Sequence, residues 1–473
     1  MQDVWKRWGA LAAEHPLLVI SRRGPVVRQN GTVVRGPGGL ATALGQMAEG
    51  VPFTWLHGGN GEAIWGRARL RGVPLPPAVD AAHAALCNRL LWFVQHGLDG
   101  ASPLPAEWFR GYLAANSHFA AAAAALLPTD ATPVVFIHDY HFYLLGRELR
   151  RRRPDALLAY FLHIPWPPPA VWRQLPPDLL RHVCRGLLAN DSLGFQTEED
   201  AANFRELCLE VLPEASTDSA GILHWHGRQV LTAAYPISVD PAALAAAAAA
   251  PEVERYRELL GAPRSMRTLI RVDRLDPSKN VLAGFQALDL LLRRAPHWRG
   301  RLRFLAFLVP TRQEVPEYRE YARRVLSAAQ DINRRYQSGD WLPVQIFHEH
   351  NRAQSLAAMS LYDVLLVNPL ADGMNLVAKE GPVINSRHGA LVLSSRAGAY
   401  RQLREAAIPV EPADVVGTAQ ALGQALELSR PERRRRSADL RRAVLSWTLW
   451  DWLEAQLGDV EQLLAEQEQV AVH

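Results

Sequence analysis

Short, continuous apolar runs alternate with helix-like stretches along the whole chain. Strand-like runs fall at Leu17–Ser21, Val134–His138, Leu157–Ile164, Ser192–Gln196 and Leu231–Ile237. A second series occupies Thr268–Val272, Leu302–Val309, Val344–His348, Val364–Val367 and Ala390–Ser394. Helical stretches lie between them, as at Phe109–Leu127, Val281–Arg294 and Glu314–Arg335. Continuous apolar strands suit sheets covered on both faces, so the pattern predicts an α/β fold of parallel, doubly wound, Rossmann-like sheets. The prolines of Tyr235–Pro241 and Pro251 separate the two series. The intervening Ala242–Ala250, with eight alanines in nine residues, favours helix over a flexible linker. The expected domains are residues 1–238 and 239–445, with helices at 446–473 packing back on the body. Ligands are expected at the carboxyl ends of the strands, in a cleft that both halves face.

Composition adds exclusions. A chain of 473 residues, 48% hydrophobic and 21% charged, can build two or three ordinary globular cores. No apolar run reaches the roughly 18 residues of a spanning helix, and Met1–Arg7 lacks a signal-peptide core, so a cytoplasmic enzyme without a membrane partner is expected. The net charge of +4 admits anionic ligands without demanding nucleic acid. The clusters Arg150–Arg153 and Arg433–Arg436 read as solvated helix faces, with no interleaved aromatics to stack on bases. Cys87, Cys184 and Cys208 are too few and scattered for a disulfide framework or a zinc site, and read as buried small hydrophobes.

The most informative stretch follows the run Val364–Val367. It reads Pro369-Leu-Ala-Asp372-Gly373-Met374-Asn375-Leu376-Val377-Ala-Lys-Glu380. Glycine in a strand-to-helix turn lets backbone approach a ligand, and a helix start offers N–H groups to anions. Asp372 at the turn and Glu380 two helical turns on can both face one ligand. A phosphate cradle flanked by hydroxyl-binding carboxylates suits a nucleotide sugar; an ordinary capped helix is the alternative. Other patches follow other strands: Ser21-Arg-Arg23-Gly-Pro25 with Gly36-Pro-Gly38-Gly39, His138-Asp139-Tyr-His141, and His163-Ile-Pro-Trp166. In Arg271–Asn280, Arg274 and Lys279 straddle a strand-to-helix turn and can converge on a diphosphate, while Pro310-Thr-Arg312 brings another guanidinium to the same rim. No patch has metal-ligand spacing, and no metal site is predicted.

Taken in order, SRRGPV, GPGG, HDYH, HIPWP, RVDRLDPSKN, PTR and DGMNLVAKE resemble the trehalose-6-phosphate synthases, glycosyltransferase family 20, from about Leu17 to about Leu453. The resemblance implies a GT-B fold and retaining transfer of glucose from UDP- or GDP-glucose to glucose 6-phosphate, giving α,α-trehalose 6-phosphate. It implies a nucleotide sugar and a sugar phosphate as ligands, no metal or other cofactor, and is compatible with a homo-oligomer. Arg274 and Lys279 match the diphosphate pair, Asp372 the residue on the donor glucose hydroxyls, and Glu380 the one on the ribose. The backbone of Gly373 to Val377 matches the sugar and phosphate cradle. His163 matches the histidine near the donor glucose, and Asp139 the carboxylate at the junction with the acceptor. Gly38 and Gly39 match the loop over the diphosphate, and Arg23, Trp92 and Arg312 the acceptor-phosphate side.

Departures fall on the acceptor side. The usual SNR is SRR here, adding Arg22. His83 stands where better-known members carry a tyrosine on the acceptor phosphate, and the second tryptophan after Phe53-Thr-Trp55 is missing. A related transferase with another phosphorylated acceptor, such as glycerol 3-phosphate or the carbasugar phosphate of pseudo-glycosyltransferases, is the alternative. A non-catalytic sugar-phosphate sensor is the reading from another class. No phosphatase domain is recognised, so dephosphorylation of the product is expected to fall to another protein.

Overall fold

The computed structural model describes residues 2–29, 32–35, 39–98, 104–261, 263 and 265–472. The chain forms two compact units, Met1–Ile237 with Leu449–His473, and Ser238–Thr448.

The first unit is built on seven parallel strands in the spatial order Arg228–Ala234, Ser192–Phe195, Leu157–Phe161, Val134–His138, Leu17–Ser21, Phe53–Gly58 and Ala68–Val73. Short antiparallel strands, Glu62–Trp65 at one edge and Leu223–Trp225 with Ser216–Thr217 at the other, finish the sheet. From Leu17–Ser21 the chain builds outward on one side, then returns to build the other from Val134–His138. The strand order therefore reverses between those two strands, the place where doubly wound sheets bind ligands. Every residue of Leu17–Ser21, Val134–His138 and Leu157–Phe161 is buried, which is why they read as unbroken apolar runs. Ala68–Val73 is different: it lies near the edge, with exposed Arg69 alternating with buried Ala68 and Leu70.

The C-terminal residues Leu449–Val472 form one helix belonging to this unit. Trp452 packs edge-on to Phe161 at 5.4 Å, and Arg7 bonds Glu454 at 3.0 Å and Glu461 at 2.5 Å. Trp5 meets Trp450 edge-on at 4.9 Å.

The second unit has six parallel strands, ordered Val344–Phe347, Leu302–Val309, Arg267–Arg274, Val364–Val367, Ala390–Ser394 and Ile408–Val410. Its order also reverses once, between Arg267–Arg274 and Val364–Val367. The alanine-rich stretch is helix Pro241–Ala248, capped by Asp240 accepting from the N–H groups of Ala242 and Ala243. A new helix, Pro251–Leu260, follows.

In each unit a carboxylate just before a strand ties down the amino end of the sheet. Asp191 accepts from Arg150 at 2.5 Å, Arg228 at 2.7 Å and the N–H of Leu158 at 2.8 Å. Asp363 accepts from Arg267 and Arg433 at 3.0 Å each and from the N–H of Thr268 at 2.9 Å. These contacts correct the reading of both arginine clusters as wholly solvated faces. Arg150, Arg153 and Arg433 turn inward, Arg153 onto the carbonyls of Leu127 and Pro128, because guanidinium forks satisfy carboxylates and carbonyls that burial would leave orphaned. Cys87, Cys184 and Cys208 are free and buried. Among the described residues, no helix is long and apolar enough to cross a membrane.

Candidate active site

In the second unit the motif residues gather at the carboxyl ends of the two strands that flank the reversal. Arg274 is the last residue of its strand, and Lys279 ends the 3₁₀ turn Pro277–Lys279 that follows. The turn is fixed by Asp276, whose Oδ1 accepts from the N–H of Ser278 at 3.0 Å and its hydroxyl at 2.8 Å. Beneath it, fully buried Arg271 donates to Asp273 and to the carbonyl of Lys279 at 2.8 Å. Burial pushes the Asp273 carboxyl up and the Arg271 charge pulls it back, so this pair is an internal brace.

The loop after Val364–Val367 is bonded to that turn. The N–H of Leu370 donates to the carbonyl of Ser278 at 2.8 Å, and Lys279 Nζ reaches Asp372 Oδ2 at 2.5 Å. Asn375 donates to the same carboxylate oxygen at 2.9 Å while its Oδ1 accepts from the N–H of Ala378 at 3.2 Å. One asparagine, in the left-handed region at φ 73°, thus links the carboxylate to the first turn of helix Val377–Ile384. Asp372 is not on that helix: it bridges Ala397 in an extended segment, so the spacing to Glu380 is not two helical turns. Gly373 and Met374 pack backbone to backbone on the next loop, where a β-carbon on Gly398 would meet the Gly373 carbonyl at 1.9 Å. The Leu376 carbonyl accepts from the N–H groups of Lys379 and Glu380, and Val377 begins the helix. Glu380 is paired with Arg352 at 3.1 Å, a partner 28 residues away that no local pattern signals. Burial also draws the Lys379 ammonium down to about 7.

Arg312 belongs to this unit, and its guanidinium serves the fold. It donates to buried Asp276 at 3.2 Å and to the Tyr318 hydroxyl, which itself bonds Asp276 at 3.2 Å. Ion pairing with Asp276 locks the turn that carries Lys279 and does not itself overturn the place expected for Arg312 on the acceptor phosphate.

In the first unit Asp139 follows the strand Val134–His138 with φ 77° and ψ 166°, a region that only glycine enters freely. The strain is held by three bonds: its N–H to the Phe161 carbonyl at 2.9 Å, and its carbonyl accepting from the Tyr160 hydroxyl at 2.7 Å and the N–H of Phe142 at 3.1 Å. The carboxylate accepts weakly from the N–H of His163 at 3.4 Å. The His163 ring stands 3.2 Å from His138 Nδ1, and burial lowers both histidines, His138 to about 3, so the pair is neutral. His138 was not singled out by sequence, although the HDYH motif contains it. The loop carrying His163 is pinned at Pro165 by Gln95 and at Trp166 by Asp200 and Asn203.

Arg23 is exposed just past Leu17–Ser21. Trp92 is buried and stacked on His96 at 4.0 Å. His83 requires a correction. It is fully buried, stacked on Tyr112 at 5.3 Å, with Nε2 on the His141 carbonyl at 3.0 Å, so it holds the HDYH turn from behind and cannot meet a phosphate. Gly39 starts helix Gly39–Gly50, and Gly38 lies outside the described residues. Among the described residues, no group of three or more His, Cys, Asp or Glu side chains is arranged to hold a metal ion.

Two doubly wound units, with cations and carboxylates at the carboxyl ends of their strands, have the architecture of the GT-B class. The pattern of glycosyltransferase family 20 matches residues 68–462, and the chain belongs to that family. It is 34% identical over 389 residues to the trehalose-6-phosphate synthase of Cronobacter sakazakii, covering 81% of this chain and 80% of that protein. It is also 34% identical to a bifunctional trehalose-6-phosphate synthase/phosphatase of Thermoproteus tenax, covering 89% of this chain but spanning only 60% of that relative's length. Among solved structures, the Escherichia coli trehalose-6-phosphate protein bound with UDP-2-fluoro glucose superposes with a TM-score of 0.85 at 29% identity, over 94% of this chain and 99% of that one. The UDP-forming α,α-trehalose-phosphate synthase of Burkholderia xenovorans in complex with glucose-6-phosphate gives 0.86 at 28% identity, over 94% and 100%.

Two outcomes follow from this geometry. Asp139→Gly should be more stable than Asp139→Ala by about 1 kcal/mol or more in denaturant unfolding, since only glycine relieves the positive φ; equal stability would remove the strain argument. Burial lowers His83 from 6.5 to about 4, so the unfolded chain takes up the proton first and wild-type protein loses stability as pH falls through that window. His83→Gln, which does not titrate, should track wild type above that window and lose less below it. Parallel unfolding curves would contradict the burial.

Proposed function

We propose that the chain transfers glucose, with retention of configuration, from UDP-glucose to glucose 6-phosphate, forming α,α-trehalose 6-phosphate. The observation that carries this reading is the Lys279–Asp372 pair at the strand-order reversal of the second unit. It places a cation suited to a leaving diphosphate beside a carboxylate suited to sugar hydroxyls. Arg274 stands at the same strand end, and Glu380 is the carboxylate assigned to ribose. Gly373 to Val377 supply backbone around the sugar and distal phosphate. The names and ligands of the relatives support the substrates.

The chemistry proposed needs no protein nucleophile. The bond from the glucose anomeric carbon to the diphosphate breaks as the acceptor hydroxyl oxygen bonds to that carbon from the same face. The hydroxyl proton passes to the leaving phosphate. Arg274 and Lys279 stabilise the negative charge that develops there, which is where fixed cations in a site shielded from water lower a barrier most. Asp139 and the neutral His163 orient acceptor and donor sugar. Arg23 contacts the acceptor phosphate, and Trp92 backs that side. No cofactor beyond the two substrates enters the scheme.

The test is nucleotide release by purified protein given UDP-glucose or GDP-glucose with glucose 6-phosphate or glycerol 3-phosphate. Release from UDP-glucose with glucose 6-phosphate is expected; release only with another donor or acceptor reassigns that substrate, and none at all rejects the enzyme. Arg274→Ala and Lys279→Ala should each lower turnover by about 10²-fold or more. Near-normal turnover in either would withdraw its role.

A further inference from the structure

His138 lies against His163, which the proposed reaction uses, yet it has no part in that scheme. It is the last residue of the strand Val134–His138 and keeps 1% of its exposure. Its register partner on the next strand is Phe161, and His163 follows two residues later. Phe161 walls both rings, standing 6.4 Å from the His138 ring and edge-on to His163 at 4.7 Å. Against that wall the two imidazoles meet nitrogen to nitrogen, His138 Nδ1 to His163 Nε2 at 3.2 Å. The other nitrogen of His138, Nε2, is buried and has no hydrogen-bond partner among the described residues. His163 is only partly buried, with Nδ1 as its remaining nitrogen.

Two uncharged imidazoles that meet in this way share one proton, and burial keeps both uncharged, His138 down to about 3. Two arrangements satisfy the contact. If His163 donates from Nε2, the proton of His138 is sealed on its own Nε2 with no acceptor. If His138 donates from Nδ1, its Nε2 is a bare acceptor and His163 carries its proton on Nδ1. Either arrangement leaves one buried atom unpaired, but an orphaned N–H is rarer in folded proteins than an under-used acceptor. The second arrangement also puts the remaining N–H on the exposed ring, where water or a ligand can accept it.

We propose that His138 is a positioning residue: its Nδ1–H holds His163 Nε2, so that His163 presents Nδ1–H to a hydroxyl oxygen of the donor sugar. This rests on the reaction proposed above, in which His163 orients that sugar. The physical basis is that the bond made at one ring nitrogen decides which proton the other carries.

Nitrogen NMR on free protein with isotope-labelled histidine reads the tautomer directly, the His163 signals being assigned by their loss in His163→Asn. Wild type should show a protonated Nδ1 and a hydrogen-bonded, proton-free Nε2 on His163. His138→Asn keeps an N–H donor at the place of Nδ1, whereas His138→Leu has nearly the same volume and no donor. His138→Leu should therefore move the Nε2 signal to that of an unbonded ring nitrogen. It should also lower kcat about tenfold or more, with KM for glucose 6-phosphate within about twofold. His138→Asn should keep the wild-type signal and stay within about threefold of wild-type kcat. Packing alone would give the reverse order, since an amide buried in that slot costs more than an apolar side chain. A proton on Nε2 of His163 in wild type, or His138→Leu turning over as fast as His138→Asn, overturns the assignment. If His138→Leu does not fold, the wild-type spectrum still decides. Wild type that releases no UDP with glucose 6-phosphate defeats the reaction itself, whatever the tautomer.

Discussion

The ion pair between Lys279 and Asp372 is the interaction around which the second unit is arranged. Two strands that are neighbours in space but about a hundred residues apart in sequence end there, one contributing the cation and the other the carboxylate. The 2.5 Å contact is mostly shielded, with 13% of each side chain exposed, so its attraction is weakly screened. Such a pair is a poor device for stability alone, because desolvation takes back much of the gain. Its value lies in what can divide it. In the proposed reaction a diphosphate takes the ammonium and sugar hydroxyls take the carboxylate, while the neighbouring bonds stay in place. Asn375 continues to hold Asp372 while the Leu370 N–H continues to hold the turn of Lys279.

The two ends of each sheet carry charge in opposite ways. At the amino ends Asp191 and Asp363 are saturated by arginines and backbone N–H groups, and serve only the fold. At the carboxyl ends the charged groups are half-buried and the backbone is bent. Among the described residues six non-glycine residues have positive φ, and four of them follow parallel strands of the two sheets: Asp139, Asn280, Arg312 and Asn375. Each costs of order 1–3 kcal/mol in an ordinary context and persists because its neighbours over-determine it. Strain is concentrated on one edge of each sheet, the edge that offers the side chains proposed to react.

Much of this was legible in the sequence because parallel strands buried on both faces leave unbroken apolar runs. All ten runs read that way correspond to strands, with the reversal points marked by their motifs. Strands near an edge were missed: in Phe53–Gly58 and Ala68–Val73, Thr54, His57, Arg69 and Arg71 interrupt the apolar signal. The site residues were legible by kind but not by contact. Nothing local tells that Arg352 pairs with Glu380, that Arg312 turns inward onto Asp276, or that His83 is walled in behind His141. Those outcomes depend on which long-range partner reaches a polar group first. Asn375 was readable as cradle backbone, yet its amide proves to be the link between Asp372 and the helix start.

The exchange of the Lys279–Asp372 pair for donor is the central claim, and calorimetric titration of UDP, which lacks the sugar, tests it directly. Asp372→Asn frees Lys279 for the diphosphate while removing the group assigned to glucose. UDP should therefore bind the variant at least as tightly as wild type, although glucose transfer falls by about 10²-fold. Weaker UDP binding in the variant, in step with lost transfer, would make the pair a rigid support for the loop and contradict the account.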